Sequence, residues 1–233
     1  NITYGGCYLG MLSRYDRRTR QERDISVTDI NWDGYAAKDA PERFQWTFPI
    51  VISMHDPKVL YAGGSTLFRS INEGQSFVPI SPPLARNDPR TLGASGGPIT
   101  KDQTGVETYG VVFTLAESFQ SGDVLWVGSD DGYVQVTRDG GRTWNNWTYA
   151  ELGPEWQYVA PDGIVTRAET TWVATADGVQ LTVDNGAHWT ALIDSVGPPA
   201  RGPADTALTI LSSEYVRRIG LELGQVGRDR ARV

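Results

Sequence analysis

Two acidic residues in one glycine-rich segment have the residue types and the spacing of a general acid/base pair. Asp102 and Glu107 lie close to Thr100 and Lys101, inside a segment that runs from 81 to 109. Two carboxylates that converge on one cleft can hydrolyse a glycosidic bond. The simpler interpretation is a surface loop with solvated charges. The sharper one is a loop that contacts a ligand, because binding residues concentrate on loops carried by rigid scaffolds. Thr100, Lys101, Asp102 and Glu107 are therefore a candidate ligand loop.

Metal and phosphate chemistry are not indicated by the other residues. The chain has 2 histidines and 1 cysteine, which are too few for the usual zinc ligand sets. The glycine-rich stretch between 93 and 97 lacks the Lys-Ser/Thr ending of a phosphate-binding loop. Asp130 and Asp131 precede Gly132, a pattern that is typical of a hairpin turn. The sequence therefore predicts no metal site and no cofactor.

Composition and charge argue against two classes of partner. The formal net charge is −7, which is unfavourable for a nucleic-acid surface. No stretch approaches the ~20 apolar residues that a membrane span needs. The 233-residue chain contains 26 glycines, 13 prolines, 8 tryptophans and 10 tyrosines. This composition favours tight turns and aromatic strands, as in an all-β protein.

An internal repeat defines the elements that must position any site. Three segments share the pattern Ser/Thr-x-Asp/Asn-x-Gly-x-x-aromatic, and the second and third lie 45 residues apart. A period of about 45 residues is that of one four-stranded propeller blade. In chain order, the pattern residues are Ser70, Asn72, Gly74 and Phe77, then Thr137, Asp139, Gly141 and Trp144, then Thr182, Asp184, Gly186 and Trp189.

The residue types of this repeat indicate a structural turn rather than a catalytic site. An Asp or Asn side chain accepts hydrogen bonds from backbone N–H groups two residues further on. The glycine adopts a left-handed conformation, and the aromatic residue packs between adjacent sheets. The three acceptors fall on separate blades, whereas acid/base catalysis needs carboxylates in one cleft. We therefore expect turns in which Trp144 and Trp189 are mostly buried.

Strand patterns around the repeats predict the fold and its boundaries. Each repeat follows two short runs of β-branched and aromatic residues and precedes a third. The expected fold is an all-β propeller of about four four-stranded blades over 1–195, the first of them without the repeat. The expected blades lie near 1–30, 46–80, 110–148 and 158–192, and 81–109 is an inserted loop.

The C-terminal segment, 196–233, has a different period. Its apolar residues are spaced three or four apart, which predicts a linker followed by an amphipathic helix. An exposed apolar stripe is unfavourable, so this helix is expected to dock on its own propeller or on a partner. Its docking residues are Leu208, Leu211, Tyr215, Ile219 and Leu223.

Residues 4–150 resemble a known family, the bacterial BNR/Asp-box β-propellers, which are called sortilin (Vps10)-like or glycosyl hydrolase proteins. The segments that carry the resemblance are 43–50, 55–64, 95–107, 126–132 and 138–144. Members are typically much longer, so the chain looks like a shortened relative or a fragment. The resemblance implies a bacterial protein that is periplasmic or secreted.

The resemblance brings no catalytic residue with it. Sialidases of this architecture need a three-arginine cluster with a Tyr/Glu pair, and xyloglucan hydrolases need two acids in a cleft between propellers. Neither set can be assigned in this sequence.

The expected function is a non-enzymatic binding or scaffold propeller, a subunit or accessory of a larger assembly with a protein partner. The alternative is a glycoside hydrolase or carbohydrate-binding protein of the BNR-repeat type, whose ligand is a carbohydrate. Two carboxylates within about 5–10 Å on one face would favour the alternative.

Overall fold

The computed structural model describes residues 1–102, 104–105, 107–146, 159–167, 170–175, 178–184, 188 and 190–191. Within these residues the chain is almost entirely β-strand, with two short 3₁₀ segments, Tyr8–Gly10 and Ala37–Asp39. The strands are β1 (Ile2–Gly6), β2 (Leu12–Asp16), β3 (Gln21–Asp24), β4 (Ile50–Ile52), β5 (Leu60–Gly63), β6 (Leu67–Ser70), β7 (Val78–Pro79), β8 (Ser95–Gly96), β9 (Lys101–Asp102), β10 (Val112–Glu117), β11 (Leu125–Ser129), β12 (Val134–Thr137), β13 (Asn145–Asn146), β14 (Val159–Arg167), β15 (Thr170–Thr175), β16 (Gly178–Thr182) and β17 (Thr190–Ala191).

Strands that follow one another in the chain pair antiparallel and form successive sheets. Among the described residues, sheet 1 has three strands (β1–β3), and sheets 2 (β4–β7), 3 (β10–β13) and 4 (β14–β17) have four each. Strands β8 and β9 pair only with each other and form a hairpin in the chain segment that connects sheet 2 to sheet 3. The predicted all-β class is confirmed, whereas a ring of four blades stays a prediction. The predicted helical tail lies outside the described residues.

Sheet 1 corresponds to the last three strands of sheet 2. Ile25 follows β3 and donates its backbone N–H to Leu12 O (2.8 Å). Ile80 follows β7 and donates in the same way to Leu67 O (2.9 Å). The same contact therefore closes the outer strand in both sheets.

Alternating connections give the molecule two faces. Because neighbouring strands are antiparallel, successive connections leave opposite ends of a sheet. The turn face carries the connections β2–β3, β4–β5, β6–β7, β10–β11 and β12–β13. The loop face carries β1–β2, β3–β4, β5–β6, β11–β12 and the long connection from β7 to β10.

The hydrophobic core lies between successive sheets. Leu12, Phe48 and Leu60 pack between sheets 1 and 2. Leu67 and Val127 belong to the cluster between sheets 2 and 3, and Trp126 and Val173 to the cluster between sheets 3 and 4. Alternate residues of one strand point to opposite faces, so Val127 and Trp126 contact different neighbouring sheets.

The first position of each repeat turn supplies a hydroxyl that holds the glycine. Ser70 Oγ accepts a hydrogen bond from Gly74 N, and Thr137 Oγ1 accepts one from Gly141 N, both at 2.9 Å. Ser70 and Thr137 are almost fully buried. Gly74 has φ +81°, and a Cβ there would lie 2.4 Å from Ile25 Cδ1 of sheet 1. A side chain is therefore excluded by both conformation and packing.

The third position accepts a backbone hydrogen bond from four residues further on, not from two as we expected. The three bonds have donor–acceptor distances of 2.8–3.0 Å and are Ser76 N to Asn72 Oδ1, Thr143 N to Asp139 Oδ1 and His188 N to Asp184 Oδ1. The expected bond between a side chain and the backbone N–H two residues further on does occur in this turn. It is made by the hydroxyl of the first position rather than by the Asp or Asn of the third. Asp139 N, for example, donates to Thr137 Oγ1 at 3.4 Å.

The aromatic position joins one sheet to the previous one. Trp144 has most of its surface covered, as expected, against the core between sheets 2 and 3, and its Nε1 donates to Ile80 O at the end of β7 (3.0 Å). Phe77 is partly buried and packs against the core between sheets 1 and 2. Gly186 and Trp189 lie outside the described residues.

We predict that Thr137→Val lowers the free energy of unfolding by about 1–3 kcal/mol, because the buried valine removes the acceptor of the Gly141 N–H. The exposed Thr100, in the β8–β9 hairpin, gives a matched control, and Thr100→Val should change stability by less than about 0.5 kcal/mol. Urea unfolding of both variants measures the difference. Equal stabilities would contradict the hydroxyl's structural role.

Candidate functional site

The predicted ligand loop is an exposed hairpin on the loop face. Thr100 and Lys101 are exposed, and Lys101 Nζ donates to Gly96 O across the hairpin (3.3 Å). Glu107 is exposed in a separate turn that begins at Thr104. Asp102 has a described backbone in β9, but its side chain lies outside the description. Among the described side chains, no hydrogen bond or ion pair joins Lys101 to Glu107.

The inserted segment is attached to the β3–β4 connection along its length. Lys38 N donates to Leu92 O (2.9 Å), and Gln45 Nε2 donates to Thr108 O (2.9 Å). Gly105 N donates to Asp33 Oδ1 (3.1 Å). These contacts hold 81–109 against the loop face.

Asp130 anchors the end of this segment from inside the protein. It is 6% exposed, and its Oδ1 accepts hydrogen bonds from Gly110 N and Val111 N, both at 2.9 Å. Burial raises the pKa of Asp130 to about 7, although the two N–H donors and Arg43 act in the opposite direction.

Asp131 anchors the beginning of the same segment. Its Oδ2 accepts from Arg86 N, and its backbone oxygen accepts from Arg86 Nε, both at 2.8 Å. Ser129 Oγ donates to the other carboxylate oxygen of Asp131 (2.5 Å). The Arg86 guanidinium lies 4.6 Å from the centre of the Tyr133 ring, a cation–π contact. Burial also raises the pKa of Asp131.

Arg43 completes this group, which we call the clamp cluster (Arg43, Arg86, Asp130 and Asp131). Its Nη2 donates to Gly110 O (3.0 Å) and to Asn87 Oδ1. Arg43 is 8% exposed, and burial lowers the pKa of its guanidinium. The clamp cluster ties the inserted segment to sheets 2 and 3 at both ends.

Several aromatic side chains are exposed on the loops that the clamp cluster holds. Tyr35 is 55%, Trp46 50% and Tyr109 39% exposed. Trp46 packs edge-to-face on Tyr8 with ring centroids 5.6 Å apart, and Tyr35 packs on Trp32 in the same manner at 6.3 Å. These rings have defined orientations on an accessible surface.

The turn face has its own buried carboxylate, Glu117, which joins sheets 2 and 3. It is 2% exposed and accepts from Ser53 Oγ (2.8 Å), Met54 N (2.7 Å) and Tyr61 OH (3.2 Å). Burial, followed by the Glu117 charge, strongly raises the pKa of Tyr61. All three donors belong to sheet 2 or its β4–β5 turn, so the contact is structural.

Sequence reasoning missed the clamp cluster and Glu117. It correctly placed Asp130 and Asp131 at a hairpin turn, but the backbone groups that they bind lie 19 to 45 residues away. Glu117 ends an apolar strand and has no neighbouring acid that would suggest a site. Within the described residues, no three His, Cys, Asp or Glu side chains are grouped so that they could hold a metal ion.

Comparison with known proteins shows the fold of the chain but not its family or its function. No family model and no curated protein matches the chain. The chain is similar to the crystal structure of an ancestral GH74 enzyme, with a TM-score of 0.51 and 13% identity over 85% of this chain and 23% of that one. It is also similar to the extracellular domain assigned to a hybrid two-component system of B. thetaiotaomicron, with a TM-score of 0.50 and 14% identity over 82% and 21% of the two chains. The fold is of the β-propeller type.

The matched proteins are much larger than this chain, which spans about a fifth of their length. YCF48 bound to a D1 peptide is a weaker match, with a TM-score of 0.38 and 18% identity over 71% of this chain and 46% of that one. Likeness at this level carries no argument about partners. No helix among the described residues is long and apolar enough to cross a membrane.

We predict that stability falls as the pH rises from 5 to 8.5. Asp130 has a higher pKa in the folded protein (about 7) than its ordinary 3.8. Its protonated form is therefore favoured by folding, and the contribution is lost as the pH rises through about 7. The loss should be on the order of 2–3 kcal/mol.

Asp130→Asn should flatten this pH dependence, because the amide oxygen still accepts the Gly110 and Val111 bonds without a charge. Asp88→Asn is the matched control, since Asp88 is a loop acid whose pKa is already lowered to about 2 by Arg90. Thermal melts of the three proteins across this pH range measure the effect. An equally steep dependence in Asp130→Asn would assign it to another group.

We predict that Glu117→Ala lowers the free energy of unfolding by about 2–5 kcal/mol, because Ser53 Oγ, Met54 N and Tyr61 OH lose their shared acceptor. Glu117→Gln should cost less, since its amide oxygen still accepts. Glu22→Ala, at an exposed position of β3, is the control and should be nearly neutral. Urea unfolding measures the free energies of unfolding. Equal values for all three variants would show that Glu117 does not join the sheets.

Proposed function

We propose that the chain is a non-enzymatic β-propeller that binds a protein partner through its loop face, as a subunit or accessory of a larger assembly. The observation that carries the proposal is the set of exposed apolar side chains on clamped loops. Tyr35, Trp46 and Tyr109 are accompanied by Ile99, which is 97% exposed at the tip of the β8–β9 hairpin. Aromatic anchors of this kind dominate the energetics of protein interfaces.

The clamp cluster supports this function by fixing the loops before binding. An interface residue that is already ordered loses less conformational entropy on association. Asp130 and Asp131 use their carboxylates to hold Gly110, Val111 and Arg86. Their role in the proposal is therefore to position the binding loops.

The proposal also covers the domain boundaries, the family and the cellular location of the chain. Residues 1–195 form the propeller with its inserted loop, and 196–233 form a linker and a helix that adds to the contact with the partner. The repeat turns support membership of the BNR/Asp-box, sortilin-like propellers. The protein acts outside the cytoplasm of a bacterium, in keeping with the extracellular domain that it resembles in fold.

A glycoside hydrolase or carbohydrate-binding protein is the second candidate, and one observation favours it. Asp130 has a pKa of about 7 and is adjacent to Asp131, and glycosidases use a carboxyl with a raised pKa as general acid. Against it, Asp130 is 6% exposed and already accepts two backbone hydrogen bonds.

The binding proposal predicts that Tyr35→Ala combined with Trp46→Ala removes one specific protein from the native complex. Phe119→Ala with Met54→Ala is the matched control, because these exposed residues lie on the turn face. Affinity purification from the native source with quantitative mass spectrometry compares the two variants with wild type. The partner should be retained by wild type and the control at equal levels and lost at least tenfold from the loop-face variant. Equal loss from both variants would contradict a specific loop-face interface.

The hydrolase candidate predicts turnover of aryl glycosides, including sialosides and β-glucosides. We expect no turnover by the wild-type protein. Turnover that disappears in Asp130→Asn, Asp102→Asn or Glu107→Gln would replace the binding proposal with the enzyme.

A further inference from the structure

The turn face presents exposed apolar side chains on three successive sheets. Met54 and Ile71 lie in the β4–β5 and β6–β7 turns of sheet 2, and Phe119 lies in the β10–β11 turn of sheet 3. Val183 lies in the β16–β17 turn, the equivalent connection of sheet 4. These residues are 55%, 66%, 62% and 61% exposed respectively. Large apolar side chains that are exposed together on one face mark an interaction surface.

The turns that carry these side chains have a fixed position at the ends of the sheets. Met54 N donates to Glu117 Oε2 (2.7 Å), which joins the β4–β5 turn to sheet 3. Ile71 and Val183 share the second position of the repeat turn, between the hydroxyl and the acceptor. We call Met54, Ile71, Phe119 and Val183 the apolar tips. They come from four separate turns, and all four turns lie at the same end of packed sheets.

The corner of the turn face on sheet 1 is basic instead of apolar. Arg17, Arg18 and Arg20 are exposed in the short turn between β2 and β3. Arg20 N donates to Asp16 O (2.7 Å), and the Arg18 guanidinium lies 3.6 Å from the Asp16 carboxylate. Arg20 has φ 59°, a left-handed conformation that glycine or asparagine adopts at lower cost. The turn therefore keeps a third arginine at a position whose backbone favours other residues.

The other turns of this face are close to electrically neutral. Their acids are Asp56, Glu73, Asp123, Asp139 and Asp184, and their exposed cations are Lys58, Arg138 and Arg142. Glu73 is in addition paired with Arg14 (2.5 Å), and Asp184 with His188 (2.6 Å). The excess of positive charge on the turn face is thus concentrated on sheet 1.

The opposite face carries an excess of acids. The β3–β4 and β11–β12 connections contribute Asp29, Asp33, Asp39, Glu42, Asp130 and Asp131 to the loop face. Strands of four to six residues separate the two faces, a distance of roughly 13–20 Å at about 3.3 Å per residue. The Debye length is about 8 Å at physiological ionic strength. An anionic surface in contact with the turn face is therefore screened from the loop-face acids, although the whole chain has a net charge of −7.

We propose that the turn face binds the surface of an anionic lipid bilayer. The apolar tips insert among the headgroups, and Arg17, Arg18 and Arg20 bind the lipid phosphates. Guanidinium groups bind phosphate through paired hydrogen bonds, and interfacial binding combines apolar burial with attraction to anionic lipids. Anchors on four separate turns at one end of the sheets match a broad surface better than a single pocket on a protein. Bound in this way, the chain directs its loop face away from the bilayer, so this site is additional to the proposed protein interface.

Co-sedimentation of the purified full chain with lipid vesicles tests the proposal. We expect binding to phosphatidylcholine vesicles that contain about 30% phosphatidylglycerol, and at least tenfold weaker binding to pure phosphatidylcholine or in about 0.5 M NaCl, because salt screens exposed charges. Ile71→Ser combined with Phe119→Ser should weaken binding at least tenfold. Arg17→Gln combined with Arg18→Gln and Arg20→Gln should do the same. All five positions are exposed, so both variants are expected to fold.

The loop face supplies matched controls for both variants. Ile99→Ser removes the most exposed large apolar side chain among the described residues. Lys38→Gln combined with Arg90→Gln and Lys101→Gln removes three exposed cations. Both controls, and Tyr35→Ala combined with Trp46→Ala, should bind vesicles as the wild type does.

Three results would overturn the proposal. The first is that wild-type protein does not bind the phosphatidylglycerol vesicles. The second is that the loop-face controls lose as much binding as the turn-face variants. The third is that soluble polyglutamate binds through Arg17, Arg18 and Arg20 while vesicles do not, which would assign the surface to an acidic protein. The assay contains no protein partner, so its failure leaves the loop-face interface to be decided by the Tyr35→Ala and Trp46→Ala purification.

Discussion

A four-stranded meander has two faces and cannot bury either of them by itself. Leu60 and Tyr61 are adjacent residues of β5, and both are at least 97% buried, each against a different neighbouring sheet. Burial of an aliphatic or aromatic side chain contributes about 1.5–3 kcal/mol. The packing of one sheet on the next is thus the interaction on which the rest of the structure depends. The turns, the clamp cluster and Glu117 all act by keeping successive sheets in register.

The two ends of the joint between sheets 2 and 3 are closed by different chemistry. On the turn face, a single carboxylate, Glu117, accepts three hydrogen bonds from the neighbouring sheet. On the loop face, two carboxylates and two guanidinium groups hold the backbone of a long insertion. The first arrangement joins strands directly. The second supports a loop that extends beyond the sheets and presents side chains to the solvent.

The sequence was informative wherever the chain makes contacts with itself at short range. The spacing of Ser70, Asn72 and Gly74 predicted a turn, because the hydrogen bonds of the Ser70 and Asn72 side chains and of Gly74 N lie within seven residues. The all-β class followed from strand patterns of the same local kind. By contrast, Asp130 binds Gly110, and Glu117 binds Ser53, 20 and 64 residues away respectively. Such pairs depend on how the sheets are placed in space, which no local pattern encodes.

The candidate ligand loop was predicted only in part. Its exposure was expected, but its attachment to Asp33 and Gln45 was not.

The repeat turn satisfies its own polar groups, with one hydroxyl, one carboxylate or amide, and one glycine. Thr137 and Asp139 complete their hydrogen bonds within the turn. Gly140 N donates to Asp123 O of the same sheet, and Trp144 Nε1 donates to Ile80 O of the previous one. A gene segment that encodes one such sheet can therefore be duplicated without a matching change elsewhere in the protein. Duplicated copies are free to diverge at the positions between the hydroxyl, the acceptor and the glycine. Glu73, which lies at such a position, has become an ion-pair partner of Arg14, so the same turn that allows copying also lets each copy acquire its own neighbour.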